Sequence, residues 1–165
     1  MGRDEEFRDV FVDDYDRVVR TVYLILRDQG RAEEIAQEAF LELLRHWTRV
    51  SGHDLPDAWV RRVAIRMAVR SLKRERALEK ALLRVVPEDR SESMDAVAGA
   101  DVLNAVAALP ARQRAAVVLF YYEDRPVDEV AQILDCSPST ARVHLHKARK
   151  RLGALLSEEV PSDVR

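Results

Sequence analysis

One cysteine, Cys136, is the entire thiol content of this 165-residue chain. No internal disulfide can form, and a reducing compartment suits the sequence. No CxxC pair occurs, and Cys136 with His144 and His146 supplies too few ligands for a structural zinc site. Long apolar runs are missing too, since the longest span only a few residues, well short of a membrane crossing. The opening stretch, MGRDEEFRDVF, is acidic and lacks the apolar core of a secretory signal. The expectation is a cytoplasmic protein. No phosphate-binding loop, nucleophile–base pair or metal constellation is present, so a helical enzyme has only its Glu-rich helices in its favour. There is no credible strand, no long-range repeat and no low-complexity tract.

What the chain does contain is helix and segregated charge. Hydrophobic residues make up 47% and charged residues 34%, the balance of a soluble, helical, globular protein. The net charge of −2 conceals two opposed halves. Residues 1–42 hold twelve acids and six bases, whereas residues 61–76 hold seven bases against Glu75 alone. From Arg142 to Arg151 there are five bases and no acid. Two separated basic stretches suggest two contacts with a polyanion, because each Lys or Arg near a phosphate releases counterions. Solvated helix faces are the plainer alternative for either stretch taken alone.

Apolar spacing organises the first half into three helices. Phe7, Val10, Phe11, Tyr15, Val18, Val22 and Leu26 form the inner stripe of the first, with Gly30 suited to the left-handed residue that ends it. A second, from about Arg31 to Arg49, buries Ile35, Ala36, Ala39, Phe40, Leu43, Leu44 and Trp47. SGHDLP breaks the chain, and Pro56 suits the first turn of a third helix with Trp59, Val60, Val63, Ala64, Met67 and Leu72 inward. Three such helices can close a small core. Between about Leu78 and Gly99 the composition turns to Pro, Ser, Gly and acids, which reads as a flexible linker. DVLNAVAAL then begins a second helical unit, and Pro110 opens its next helix. The expected architecture is all-α, with two small helical domains at 1–77 and 100–157, a linker at 78–99 and a tail at 158–165.

The stretch VDEVAQILDCSPSTARVHLHKARK, residues 127–150, has the form of a helix-turn-helix. Ala131 is the small residue wanted where the two helices cross. Asp135 tolerates the left-handed backbone of the turn. Ser137 can cap the second helix, and Pro138 fits its first position. Ser139, Thr140 and Arg142 would face base edges, His144 and His146 lie further along, and Lys147, Arg149, Lys150 and Arg151 suit phosphates. Val143, Ala148 and Leu152 are expected in the core. An ordinary αα-hairpin with a basic face is the competing reading.

RAEEIAQEAFLELLRHW is the telling stretch outside this reader. Glu33, Glu34, Glu38 and Glu42 make its outer face acidic, as suits a basic protein partner. Part of the pattern is dipole compensation, with acids early and bases late. A di-iron reading fails, because Glu42 and His46 are four apart rather than three and nothing repeats.

With these residues in view, the chain resembles a group 4, or extracytoplasmic function, sigma factor of bacterial RNA polymerase. RAEEIAQEAFLELLRHW resembles the family's acidic region-two helix, and DAWVRRVAIRMAVRSLKRERA the Trp-containing helix that follows it. LPARQRAAVVLFYYEDRPVDEVAQILDCSPSTARVHLHKARKRL resembles region four, including Leu109-Pro110 and Gln113-Arg114. The resemblance implies that Glu34, Gln37, Glu38 and Phe40 dock on the clamp helices of the largest catalytic subunit. It places Ser137, Ser139, Thr140, Arg142, His144, His146, Lys147, Arg149 and Lys150 on the minus-thirty-five element. It places Arg61, Arg62, Arg66, Arg70, Lys73 and Arg74 on the minus-ten element as it melts. The implied partners are core RNA polymerase, through its beta and beta-prime subunits, and promoter DNA. An anti-sigma factor is common in the family, and no cofactor or metal is implied. The family often carries Asn and Asp where this chain has Arg66 and Arg70, so no minus-ten sequence is inferred. Trp59 is a candidate for holding an extruded base, but its place on the apolar stripe favours the core.

A stand-alone repressor would explain residues 100–156 alone. It gives no reason for the acidic helix or the second basic helix, and no heptads supply the dimer that two half-sites would need.

Overall fold

The computed structural model describes residues 2–53, 55–83 and 100–158, which form eight α-helices and one π-helical turn. In chain order these are α1 (Arg3–Leu26), α2 (Gln29–Arg45), α3 (Trp47–His53), α4 (Pro56–Leu83), α5 (Ala100–Ala107), α6 (Ala111–Val117), the π-turn (Val118–Tyr122), α7 (Val127–Leu134) and α8 (Pro138–Glu158). The expected linker lies largely outside the described residues, at 84–99. Residues 78–83, assigned to it from composition, instead continue α4. No helix among the described residues is long and apolar enough to cross a membrane.

Local chemistry explains most boundaries. Asp4, Glu5 and Glu6 in the first turn of α1 complement the positive end of its dipole. The helix ends at Arg27 rather than Gly30. Arg27 takes the left-handed conformation at φ 57° and donates its N–H to the Tyr23 carbonyl at 2.7 Å. Gly30 lies inside α2, because the Asp28 carboxylate accepts from Arg31 N at 3.1 Å and starts that helix earlier. His46 closes α2, which divides the expected Arg31–Arg49 helix into α2 and the short α3.

α1, α2 and α4 pack on one another as a three-helix bundle. Ala32, Ala36 and Ala39 on α2, and Ala64 and Ala68 on α4, are all fully buried, so the helix backbones can approach closely. Ile25 and Leu43 are fully enclosed as well, and burying each contributes about 1.5–3 kcal/mol. Leu44 was expected inside but is 39% exposed. Leu43 occupies the inward position at that level, and a neighbour one residue on turns about 100° away.

In the second half α8 packs against α5, α6 and α7. Its buried line is Ala141, Leu145 and Ala148, with Leu152 half-buried beyond them. Val143, expected in that line, is 48% exposed because it falls between its turns.

The two halves do not stand apart. α4 packs on α6 and α7, and α1 on α5, α6 and the π-turn. One apolar cluster runs from Val18, Val22 and Ile25 through Ile65 and Val69 to Ala115, Leu119, Leu134 and Leu145. Arg114 ties the junction from inside, donating to the Ile25 carbonyl at 2.6 Å and to the Leu109 and Ala107 carbonyls. Its burial, with Arg76 and Arg27 nearby, pushes its pKa down to about 10, so it stays charged at neutral pH.

Candidate nucleic-acid interface

The turn between α7 and α8 is built as its residues dictate. Asp135 closes α7 at φ 55°, and Ala131 beside the crossing is fully buried. The Cys136 N–H reaches back to the Ala131 carbonyl at 3.0 Å. Ser137 Oγ accepts from Thr140 N at 3.1 Å, and Pro138 is the first residue of α8. Because Ala141, Leu145 and Ala148 are turned inward, the opposite face of α8 presents Ser139, Arg142, His146, Lys147 and Lys150 to solvent. Thr140 is exposed beside the cap, and its hydroxyl lies 2.8 Å from Ser137 Oγ. His144 is half-buried. Burial, then Arg112, Lys147 and Lys73, holds its imidazole below the ordinary value. Arg149 is exposed but already engaged, donating to the Tyr121 hydroxyl at 2.6 Å and lying over the Phe120 and Tyr121 rings.

The basic residues of α4 divide into two groups. Arg70, Lys73 and Arg74 are exposed. Arg61 is only 7% exposed and is not a free surface group. It donates to the Asp57 carboxylate at 2.7 Å and lies 3.6 Å from Glu123. It stands three, four and seven residues before the buried Ala64, Ile65 and Ala68, on the same side of α4, and this turns it inward. Arg66 donates to the carbonyls of Ile133 at 3.0 Å and Gln132 at 2.8 Å, satisfying groups that the end of α7 leaves open. Arg62 is half-buried on the wall of the same junction. In this arrangement Arg61, Arg62 and Arg66 therefore face the second half of the molecule.

The acceptor that holds Arg61 in this junction was not singled out from sequence. Glu123, just beyond the π-turn, is 6% exposed and accepts from the Thr21 hydroxyl of α1. Arg17, Arg61 and Arg125 surround it at 3.4, 3.6 and 3.8 Å. No pattern in LFYYEDRP distinguishes Glu123 from its exposed neighbour Asp124.

On α2, Glu34, Gln37 and Glu38 form an exposed face. Phe40 does not belong to it. It is 2% exposed, with its ring 5.0 Å from Phe11, 5.9 Å from Tyr15 and 6.5 Å from Phe7. Phe40 thus anchors α2 on α1 and holds the acidic face from behind. Leu41 and Leu44, 52% and 39% exposed, complete the outer surface. Their signal in the sequence was their distance from the alanine stripe. Trp59 is half-buried against the core, with its ring 5.9 Å from His46.

Comparison with known proteins places this geometry. The sigma-70 region 2 family pattern matches residues 11–78, and the sigma-70 region 4 pattern matches residues 100–152. The chain is 30% identical over 154 residues to the RNA polymerase sigma-E factor of Streptomyces antibioticus, covering 92% of this chain and 85% of that one. It is 30% identical over 157 residues to the RNA polymerase sigma-E factor of Streptomyces coelicolor, covering 92% and 86%. In fold it is similar to the sigma factor RpoE solved in complex with the anti-sigma factor NepR from Bartonella quintana. There the TM-score is 0.71 at 19% identity, over 94% of this chain and 99% of that one.

Proposed function

The chain belongs to the extracytoplasmic function group of the sigma-70 family, and from that premise we propose how its two halves share the work of transcription initiation. The outer face of α2 docks on core RNA polymerase. Glu34, Gln37 and Glu38 meet a basic partner surface, and Leu41 and Leu44 supply apolar contact beside them. Acids around exposed leucines suit protein recognition, whereas a DNA-facing surface would need the opposite charge.

α8 reads the upstream promoter element. Ser139, Thr140 and Arg142 lie at its start, where a recognition helix enters the major groove. His146, Lys147 and Lys150 follow along the exposed side toward the phosphates. Arg149 reaches them only by leaving Tyr121. α4 takes the downstream element with Arg70, Lys73 and Arg74, which are already open to solvent. Arg61, Arg62 and Arg66 join them when the second half moves aside. An anti-sigma factor, of the kind named for the structural relative, is a further partner of this reading.

The observation that carries the assignment is the pairing of an acidic–apolar face on α2 with a capped, basic-faced α8 in one chain. A lone DNA-binding regulator has no use for the first. The test is co-elution of the protein with bacterial core RNA polymerase, with and without Glu38→Lys. The substitution reverses charge at an exposed position, so it should weaken association and spare the fold. Unchanged affinity would remove α2 from the docking surface.

A further inference from the structure

We propose that the cleft between α4, α6 and the end of α7 is a binding site for a small phosphate-type anion, of the class of inorganic pyrophosphate or a nucleotide's diphosphate. Its occupation would hold the two halves of the chain together. The cleft is a cavity of about 160 Å³. Four cationic side chains line it, Arg66, Arg70 and Lys73 from α4 and Arg112 from α6, against one carboxylate, Asp135. Among the described residues none of the four cations takes part in an ion pair.

The neighbouring cleft on the same junction is the contrast. There Arg61, Arg62 and Arg125 stand with Glu123 and Glu129, and ion pairs join Arg61 and Arg125 to these carboxylates. Three cations face two carboxylates at that end of the interface, and four face one at the other. Bringing like charges together on closure costs free energy unless a counter-charge enters. Partial desolvation and then Arg112 hold the Lys73 ammonium below its ordinary pKa, and burial, followed by Arg112, Lys147 and Lys73, lowers that of His144.

Two of the cations are also fixed in advance. Arg66 Nε and Nη2 donate to the carbonyls of Ile133 and Gln132, and Arg112 Nη1 donates to the Leu134 carbonyl at 2.7 Å. These bonds use up carbonyls at the negative end of α7, which would otherwise repel an anion. They also orient two planar guanidiniums that retain further N–H donors, the geometry suited to phosphate oxygens. Arg66 comes from the first half and Arg112 from the second, so the full set exists only while the halves are packed. An anion that binds only this form must favour it, by linkage.

The test is calorimetric titration of the whole chain with sodium pyrophosphate at fixed ionic strength, with dyes on the two halves reporting their separation by energy transfer. Saturable one-to-one binding is expected, with transfer rising as the site fills. Arg112→Gln and Lys73→Gln should each weaken binding roughly tenfold, the size expected for a lost charge-assisted contact. Arg112 also bonds Leu134, and the exposed Lys73 supplies the variant that leaves packing alone. No saturable binding would overturn the proposal. So would binding that Lys73→Gln weakens and Arg112→Gln does not, since that result describes α4 alone holding a DNA-type phosphate. Association with core polymerase, scored separately, reports on the docking assignment and not on this site.

Discussion

Replacing Glu123 by glutamine preserves the side-chain shape and removes one charge from the junction between the halves. The cost can be worked from the surroundings. The Arg17 side chain is 49% exposed, so its share is about 0–1 kcal/mol, as for other exposed ion pairs. Arg61 and Arg125 are 9% and 22% exposed at the side chain, against 2% for Glu123. Losing the only partner of a buried charge costs about 3–5 kcal/mol, but Arg61 keeps Asp57 and Arg125 keeps Glu129. The amide oxygen of glutamine can still accept from Thr21. A net loss of about 2–3 kcal/mol follows, the range for hydrogen bonds to charged groups. For a chain of this size that is a fall in Tm of roughly 4–12 °C. The assay is thermal unfolding followed by circular dichroism, with energy transfer across the junction recorded in the same melt. Separation of the halves should precede loss of helix in the variant. A Tm within about 1 °C of the parent, with unchanged transfer, would refute the reasoning. Arg17→Gln is the control, with an expected loss of no more than about 1 kcal/mol.

Two further outcomes follow from the second half. Arg142→Ala should weaken binding to the upstream element by about 1–3 kcal/mol if the side chain reads a base. A loss that is equal on all sequences in competition assays would instead assign it to phosphate. The depressed pKa of His144 means that the unfolded chain takes up the proton first, so stability should fall as pH drops below 6.5, the ordinary value. Denaturant titrations across that range should show a flatter slope for His144→Gln, and an unchanged slope would remove His144 as the cause.

Helices and caps were legible because their signals are local. The Ser137 cap, the left-handed Asp135 and the start at Pro138 each depend on one or two neighbours, and each stands where the spacing puts it. The stops at Arg27 and His46 were not legible. A left-handed arginine carries no compositional mark, and periodicity passes unbroken across His46. The larger gap concerned the relation of the halves. Composition at 78–99 suggested separation, yet the junction rests on Leu119, Arg114 and Glu123, whose partners lie up to 106 residues away. No periodicity reports contacts at that range. The same gap explains Arg61 and Arg66, whose charge is plain in the sequence while their partners are not.

The π-turn at Val118–Tyr122 determines which way that junction faces. Glu123 N reaches the Val118 carbonyl at 3.0 Å, so this turn accommodates one residue more than an ordinary helical turn would. An inserted residue shifts the angular phase of everything beyond it by about 100°. Without the shift, Glu123 would point away from Thr21 and Arg61, and a different side chain would meet α1. The extra residue works as a phase setting, deciding which element of the sequence is presented to the other half and when the chain leaves the helix for α7.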